Sequence, residues 1–298
     1  MEKLPILQTG DTVELIAPAS RCSDQHLMAA KALLNAWGLH CIIDPNIFGN
    51  DILCANSDEI RFNSLKAALL NTETKAVICA RGGYGSMRLI PKLATLTPPK
   101  KPKLFVGMSD ITALNLYLHQ HWQWPILHGA LAPHKSTTTN EVLKSILMAE
   151  TEKLEFEGIA LNALAKQSNC IETTITGGNL CLIQSSIGTL WQMDGQNKMI
   201  LLEEVAERGY RVDRMLEHLR QTHLFRGAKT IIFGDFVGGL EPKGHSLIRP
   251  VLERFADSCN IPVVQVPGIG HGFTSFPIPM GTKAKLQLGE TIQLICYR

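Results

Sequence analysis

The first 130 residues alternate short apolar runs with segments of helical pattern, and this alternation constrains the fold more than any other feature. Apolar runs lie at 12–17, 75–80 and 103–107, and helical patterns lie at 24–37 and 57–70. The run at 75–80 is continuously apolar, as expected of a strand whose sheet is covered on both faces. Strands that alternate with helices in this way predict an α/β fold with a mostly parallel, doubly wound sheet.

The sequence changes character beyond about residue 170, where short strands are separated by glycine. The last two apolar runs, 285–288 and 291–296, flank Gly289-Glu290 and predict a hairpin. We therefore expect an N-terminal domain over 1–140, a linker over the polar and weakly patterned 141–170, and a smaller C-terminal domain over 171–298.

The charge balance argues against a nucleic acid partner. Lys and Arg number 29, Asp and Glu number 27, and the net charge is +2. Nucleic acid binding requires a clustered basic surface, which this composition does not supply. A chain that is 45% hydrophobic and 19% charged is instead typical of a folded protein with a large core.

The eight cysteines form no CxxC pair, and several stand inside apolar runs. This pattern is typical of buried free thiols in a reducing compartment. The N-terminus has no signal-like apolar region, and no apolar stretch reaches 18 residues. We therefore expect a cytoplasmic protein with no membrane association.

Three segments have patterns that packing does not explain, and the first surrounds Ser109. A strand ends at Gly107 and a helix begins near Asp110, so Ser109 lies on a sharp strand-to-helix turn. The N–H groups and positive dipole end of a helix suit a nucleophile whose carbonyl substrate becomes an oxyanion. A serine in this position can also act simply as a helix N-cap.

The second segment is Arg81-Gly82-Gly83-Tyr84-Gly85, directly after the strand at 75–80. Three glycines in four positions let a ligand approach the backbone closely. The segment matches neither the dinucleotide fingerprint nor the P-loop. Because ligands bind at the carboxyl ends of parallel strands, we expect this turn and Ser109 at the same sheet edge. A tight turn without function is the alternative.

The third segment places His271 between two glycines after a predicted strand. A serine nucleophile needs a general base, and His271 is the histidine best set for that role. A purely structural histidine is the alternative. No HExxH or HxxxH pattern occurs, so we expect no metal site.

A histidine base needs a carboxylate to orient it, and two acids end the apolar strand at 199–202. These acids are Glu203 and Glu204. Alternation along a strand puts them on opposite faces, so only one can contact the histidine. Spacing does not choose between them.

Together these segments resemble the LD-carboxypeptidase family of serine peptidases, which includes muropeptide LD-carboxypeptidases and microcin C self-immunity hydrolases. The resemblance covers nearly the whole chain. It rests on the segments 10–13 with 17–20, 56–59 with Arg61, 81–85, 107–110, 177–180, 202–205, 210–216 and 268–272.

The resemblance implies a Rossmann-like N-terminal domain, a C-terminal α/β domain with barrel character, an active site between them and a homodimer. It implies a catalytic triad of Ser109, Glu203 and His271. It also implies an oxyanion hole made of backbone N–H groups, which we expect to be those of Asp110 and Gly83. No cofactor is implied.

The implied reaction is removal of the terminal D-alanine from murein tetrapeptides in the cytoplasm, through an acyl-enzyme. Arg81, Arg208 and Arg211 are candidates for binding the substrate carboxylate. Hydrolysis of a peptidyl or aminoacyl nucleotide is the alternative within the family, although residues 204–211 look more like the muropeptide branch. Outside it, the chain could be a non-catalytic nucleotide or sugar-phosphate binder that uses the 81–85 turn.

Overall fold

The computed structural model describes residues 3–133 and 137–298. The strands are β1 (Thr12–Ile16), β2 (His40–Ile42), β3 (Thr74–Cys79), β4 (Leu104–Gly107), β5 (Ile126–His128), β6 (Lys153–Ala160), β7 (Asn169–Asn179), β8 (Met199–Val205), β9 (Thr230–Val237), β10 (Val263–Gln265), β11 (Ile278–Met280), β12 (Lys283–Leu288) and β13 (Ile292–Tyr297). The helices are α1 (Asp24–Ala36), α2 (Asp58–Leu70), α3 (Ile90–Leu93), α4 (Thr112–Trp122), α5 (Thr137–Leu147), α6 (Leu180–Ser185), α7 (Gly209–Gln221) and α8 (Ile248–Asp257).

The first sheet has six strands in the order β11-β5-β4-β3-β1-β2. Its strands β1 to β5 are parallel, and β11 is antiparallel to β5 at one edge. Strands β3 and β4 are almost wholly buried, in agreement with their continuous apolar sequence. This sheet confirms the predicted mostly parallel α/β architecture.

The second sheet is a closed barrel in the order β10-β6-β13-β12-β7-β8-β9. The pairs β7–β8, β8–β9 and β9–β10 are parallel, whereas the pairs β10–β6, β6–β13, β13–β12 and β12–β7 are antiparallel. The hairpin predicted around Gly289-Glu290 is formed by β12 and β13. The barrel confirms the expected character of the C-terminal half.

The division of the chain at 140 and 170 stays a prediction, and two strands bear on it. Strand β6 lies in the segment expected as a linker, yet it pairs with β13 and β10 inside the barrel. Strand β11 belongs to the C-terminal half, yet it completes the edge of the first sheet against β5. The pairing of β11 with β5 therefore connects the C-terminal half of the chain to the first sheet.

Local signals account for several helix boundaries. The side chains of Ser23 and Ser57 accept hydrogen bonds from the N–H groups of His26 and Ile60, and so cap α1 and α2. In α7 the apolar residues recur at helical spacing and are buried, at Val212, Met215, Leu216 and Leu219.

The cysteines are all unpaired thiols, as the sequence predicts. Five are buried, Cys181 and Cys259 are partly buried, and Cys170 is exposed. Burial raises the pKa of Cys41 and of Cys259 to about 11, which suppresses the reactive thiolate. Among the helices that the structure describes, none combines the length and apolar character needed to cross a bilayer.

Candidate active site

Ser109 occupies a left-handed backbone conformation directly after β4, with φ at 63°. This conformation is unusual for a residue other than glycine and concentrates at functional sites. Ser109 opens a 3₁₀ turn that runs into α4, yet its side chain caps neither element. Asn115 stabilises the turn from within α4, since its Nδ2 donates to the carbonyl of Gly107 at 2.9 Å. The N-cap alternative for Ser109 is therefore wrong.

The glycine turn at 81–85 packs directly against Ser109. A Cβ atom added to Gly82 would lie 2.7 Å from Cβ and 3.0 Å from Oγ of Ser109, so only glycine fits there. Asp110 joins the two turns from a buried position. Its carboxylate accepts from the N–H groups of Gly85 at 3.3 Å and Ser86 at 2.8 Å. The two segments singled out in the sequence thus form one structural unit at the carboxyl ends of β3 and β4.

The two N–H groups expected to form an oxyanion hole belong to this unit. Within residues 3–133 and 137–298, neither the N–H of Gly83 nor that of Asp110 donates to a protein acceptor. Gly83 has φ at 102°, and a Cβ there would lie 2.6 Å from Oγ of Ser20. Ser20 stabilises the turn by accepting from the N–H of Tyr84 at 3.0 Å. The role of these two N–H groups in an oxyanion hole stays a prediction.

Arg61 holds the far side of the glycine turn from a buried position on α2. Its guanidinium donates to the carbonyls of Asn56 and Gly85, both at 3.0 Å, and contacts the carbonyl of Pro18. A salt bridge to Asp58 at 2.5 Å matches its charge. The sequence pointed to Arg61 only through the family pattern, because one charged residue in an amphipathic helix carries no signal of burial.

The acid and base of the expected triad are in direct contact. Glu203 lies near the end of β8 with its side chain fully buried, and its Oε2 is 2.6 Å from Nδ1 of His271. Since a carboxylate only accepts, Nδ1 carries the proton and Nε2 is left as the basic atom. A Cβ at Gly270 would lie 2.9 Å from Cβ and from Oε2 of Glu203, so the glycine before His271 permits this approach.

Glu204 points away from that contact, as strand alternation predicts. Its carboxylate accepts from Nδ2 of Asn179 at 2.9 Å and from the N–H of Cys181 at 2.8 Å, at the start of α6. Burial raises the pKa of Glu204, and these donors oppose the effect. The structure therefore pairs Glu203, not Glu204, with the histidine.

The loop that carries His271 packs against the strand-to-helix turn that carries Ser109. Oγ of Ser275 is 3.6 Å from Sδ of Met108, the residue immediately before Ser109. At the same junction, the N–H of Asn179 donates to Oγ1 of Thr112 at 3.1 Å. The turn of Ser109 and the loop of His271 therefore meet at the junction of the sheet and the barrel, although they are far apart in sequence.

Two residues of this site were missed in the sequence. Asp235 holds the histidine loop, because its N–H donates to the carbonyl of Ile269 at 2.6 Å and its Oδ1 accepts from the N–H of Gly268 at 3.1 Å. Burial and the nearby charge of Glu203 raise the pKa of Asp235. The sequence signal that could have identified Asp235 was its position as an acid after the apolar run of β9. The second residue is His128, whose Nε2 lies 3.9 Å from Oε1 of Glu203.

The three candidate arginines differ in how their charge is matched. Arg211 pairs with Glu207, and Arg208 pairs with Glu241 at 3.0 Å through Nε. Arg81 is exposed, and its Nη1 donates to the carbonyl of Arg21 at 3.1 Å. Arg81 is thus the candidate whose charge the described carboxylates do not match by a salt bridge. Within residues 3–133 and 137–298, no cluster of His, Cys, Asp and Glu side chains could hold a metal ion.

Comparisons with known proteins identify the family of the chain. The family model for the LD-carboxypeptidase N-terminal domain matches residues 13–129, and the model for the C-terminal domain matches residues 172–286. A Rickettsia conorii protein with a provisional carboxypeptidase name is 37% identical over 95% of this chain and 90% of its own length. A murein tetrapeptide carboxypeptidase of Pseudomonas aeruginosa is 28% identical over 92% of each chain.

Two solved structures share the fold. A MccF-like protein from Bacillus anthracis matches with a TM-score of 0.85 at 19% identity, over 100% of this chain and 99% of its own. A muramoyltetrapeptide carboxypeptidase from Oxalobacter formigenes matches with a TM-score of 0.80 at 24% identity, over 96% of this chain and 99% of its own. The chain belongs to the LD-carboxypeptidase family of serine peptidases.

Proposed function

We propose that the protein is a cytoplasmic LD-carboxypeptidase that releases the terminal D-alanine of murein tetrapeptides by a Ser-His-Glu acyl-enzyme mechanism. The observation that carries the proposal is the 2.6 Å contact between Glu203 and His271, on a loop packed beside the strained turn of Ser109. This arrangement provides a nucleophile, a base with a defined basic nitrogen, and an orienting carboxylate.

In the first step, Nε2 of His271 takes the proton of the Ser109 hydroxyl while its oxygen attacks the scissile carbonyl. The N–H groups of Asp110 and Gly83 stabilise the oxyanion, which costs no reorganisation because the backbone is already held in place. His271 then protonates the leaving amine of D-alanine. Water then attacks the acyl carbonyl while His271 takes its proton, and His271 returns that proton to Oγ of Ser109 as the bond to the acyl group breaks. Glu203 stabilises the imidazolium in both halves of the reaction.

The substrate assignment draws on the named relatives and on the charges of the site. The Pseudomonas aeruginosa relative is a murein tetrapeptide carboxypeptidase. The net charge of +2 supplies no strong general attraction for an acidic peptide, so binding of the terminal carboxylate depends on a placed cation. Arg81 is that cation in our proposal, because Glu207 and Glu241 already match the charges of Arg211 and Arg208. We further propose that the protein acts as a homodimer.

The test is incubation of the purified chain with a murein tetrapeptide, with D-alanine and tripeptide measured by mass spectrometry. We expect equal amounts of both products, and the Ser109→Ala variant should release neither at a comparable rate. Release of D-alanine at an undiminished rate by the folded Ser109→Ala variant would refute the assignment of the nucleophile.

Hydrolysis of an acyl nucleotide is the second candidate. Its support is a likeness of fold, since a MccF-like protein matches the whole chain with a TM-score of 0.85. Parallel assays with an aminoacyl sulfamoyl adenylate and the tetrapeptide separate the two. A higher kcat/KM for the adenylate, abolished in Ser109→Ala, would replace the muropeptide assignment while keeping the mechanism.

A further inference from the structure

His128, the last residue of β5, is buried beside the carboxylate of Glu203. Its Nε2 is 3.9 Å from Oε1 of Glu203, and the two side chains are 1% and 0% exposed. Within the ranges 3–133 and 137–298, neither ring nitrogen of His128 has a hydrogen-bond partner, and neither has Oε1 of Glu203. Buried polar atoms are almost always paired, so these two side chains are suited to pair with each other.

Strand pairing holds His128 at this point. Its register partners are Gly107 on β4 and Ile278 on β11. Gly107 lies two residues before Ser109, and Ile278 follows the loop that carries His271. The backbone of His128 is therefore held by a strand on each side, which keeps its ring beside the carboxylate of Glu203.

The charges around His128 favour a neutral ring. Burial lowers its pKa, and the charge of Glu203 on β8 opposes this effect, whereas that of His271 on its loop adds to it. Asp235 on β9 faces the same carboxylate. A neutral imidazole donates through one nitrogen and leaves the negative charge of Glu203 uncancelled, as its partnership with His271 requires.

We propose that His128 is a positioning residue, which donates from Nε2 to Oε1 of Glu203 and so directs Oε2 at Nδ1 of His271. The proposal rests on the proposed function, in which Glu203 and His271 act as an acid–base pair. One carboxylate then serves two imidazoles. The first is neutral and fixes the orientation, and the second gains and loses the catalytic proton.

The test compares His128→Phe with His128→Gln in the full chain. His128→Phe keeps the bulk but removes the donor. We expect kcat to fall about 10- to 100-fold with KM nearly unchanged, the size of one hydrogen bond to a charged group. The acid limb of the kcat/KM profile should move to higher pH, because an unshared carboxylate holds the proton of His271 more tightly. His128→Gln can donate from a similar point and should restore both.

His119→Gln is the matched control. This histidine is also largely buried, with a pKa lowered by burial, but it lies in the last turn of α4, away from the triad. Its replacement should leave the acid limb in place. The proposal is overturned if folded His128→Phe keeps both kcat and the acid limb, or if His128→Gln is as impaired as His128→Phe.

Nitrogen-15 NMR of labelled histidine keeps the proposal testable if the phenylalanine variant does not fold. We expect the wild-type His128 signal, assigned by its loss in His128→Gln, to show a neutral ring protonated at Nε2 throughout the titration of His271. A ring protonated at Nδ1, or an imidazolium at neutral pH, overturns the proposal. The spectrum needs no substrate, so it tests the role of His128 even if the wild-type chain releases no D-alanine. Failure to release D-alanine would count against the proposed function and not against this proposal.

Discussion

The turn that carries Ser109 and the contact between Glu203 and His271 are held in place in different ways. Ser109 and the glycine turn at 81–85 follow neighbouring parallel strands and are held by backbone geometry. Ser109 has a positive φ, Gly82 packs against its side chain, and backbone N–H groups at the end of the glycine turn donate to Asp110. Glu203 and His271 come from segments 68 residues apart and are held by a buried side-chain contact. The first region therefore depends on space for the backbone, whereas the second depends on charge and on the orientation of side chains. Substitutions in each region should fail in correspondingly different ways.

The largest effect is expected at the nucleophile. Ser109→Ala should lower kcat by about 10⁴-fold or more with little change in stability, since the side chain is small and caps no helix. Steady-state kinetics with the tetrapeptide and a thermal melt measure both quantities. A large loss of stability would show instead that the strained turn depends on the hydroxyl.

Glu203→Gln should be the next most severe change, and Glu204→Gln is its matched neighbour on the opposite face. The amide at 203 can hold the histidine in the wrong tautomer, so we expect kcat to fall about 10³- to 10⁴-fold. At 204 the amide faces three donors, and the expected result is a loss of about 1–3 kcal/mol in the free energy of unfolding. Equal losses of kcat in the two variants would contradict the distinction between the acids.

Gly82→Ala tests the backbone side of the comparison. The added Cβ would lie 2.7 Å from Cβ of Ser109, so the nucleophile must shift. We expect kcat to fall about 10²-fold, the cost of a displacement near 1 Å at a reacting centre. Gly188→Ala is the control, because a Cβ added there would have no atom within 4 Å apart from those of its neighbours in the chain. It should lower the free energy of unfolding but leave kcat unchanged. An unchanged kcat in folded Gly82→Ala would show that the turn yields more easily than its packing indicates.

The smallest effects are expected at the arginines. Arg81→Gln should raise KM about tenfold with kcat nearly kept, because one charge-assisted contact to the substrate carboxylate is lost. Arg211→Gln should change KM less than about twofold, because Glu207 already binds its guanidinium and exposed ion pairs contribute little. The opposite ranking of the two variants would move the carboxylate site from the glycine turn to the start of α7.

Much of the first sheet could be predicted, because its signals are local. The apolar runs of β3 and β4 and the serine caps of α1 and α2 depend on neighbouring residues alone. Strand β6 was not predicted, because charged residues alternate with its apolar residues and its pairing with β13 joins positions more than 130 residues apart in sequence. Strand β11 is three residues long with a central proline, so only its pairing with β5 makes it a strand.

The sequence by itself determined the parallel α/β sheet, the strand-to-helix turn at Ser109, the glycine turn beside it and the two opposed acids, because each depends on residues close in the chain. The tertiary structure alone decided that Glu203 contacts His271, that Asp110 joins the two turns and that His128 lies beside the carboxylate. These contacts link residues that strand pairing and the closed barrel bring together. Distances of a few ångströms between such residues are set by register and burial, which no local pattern encodes.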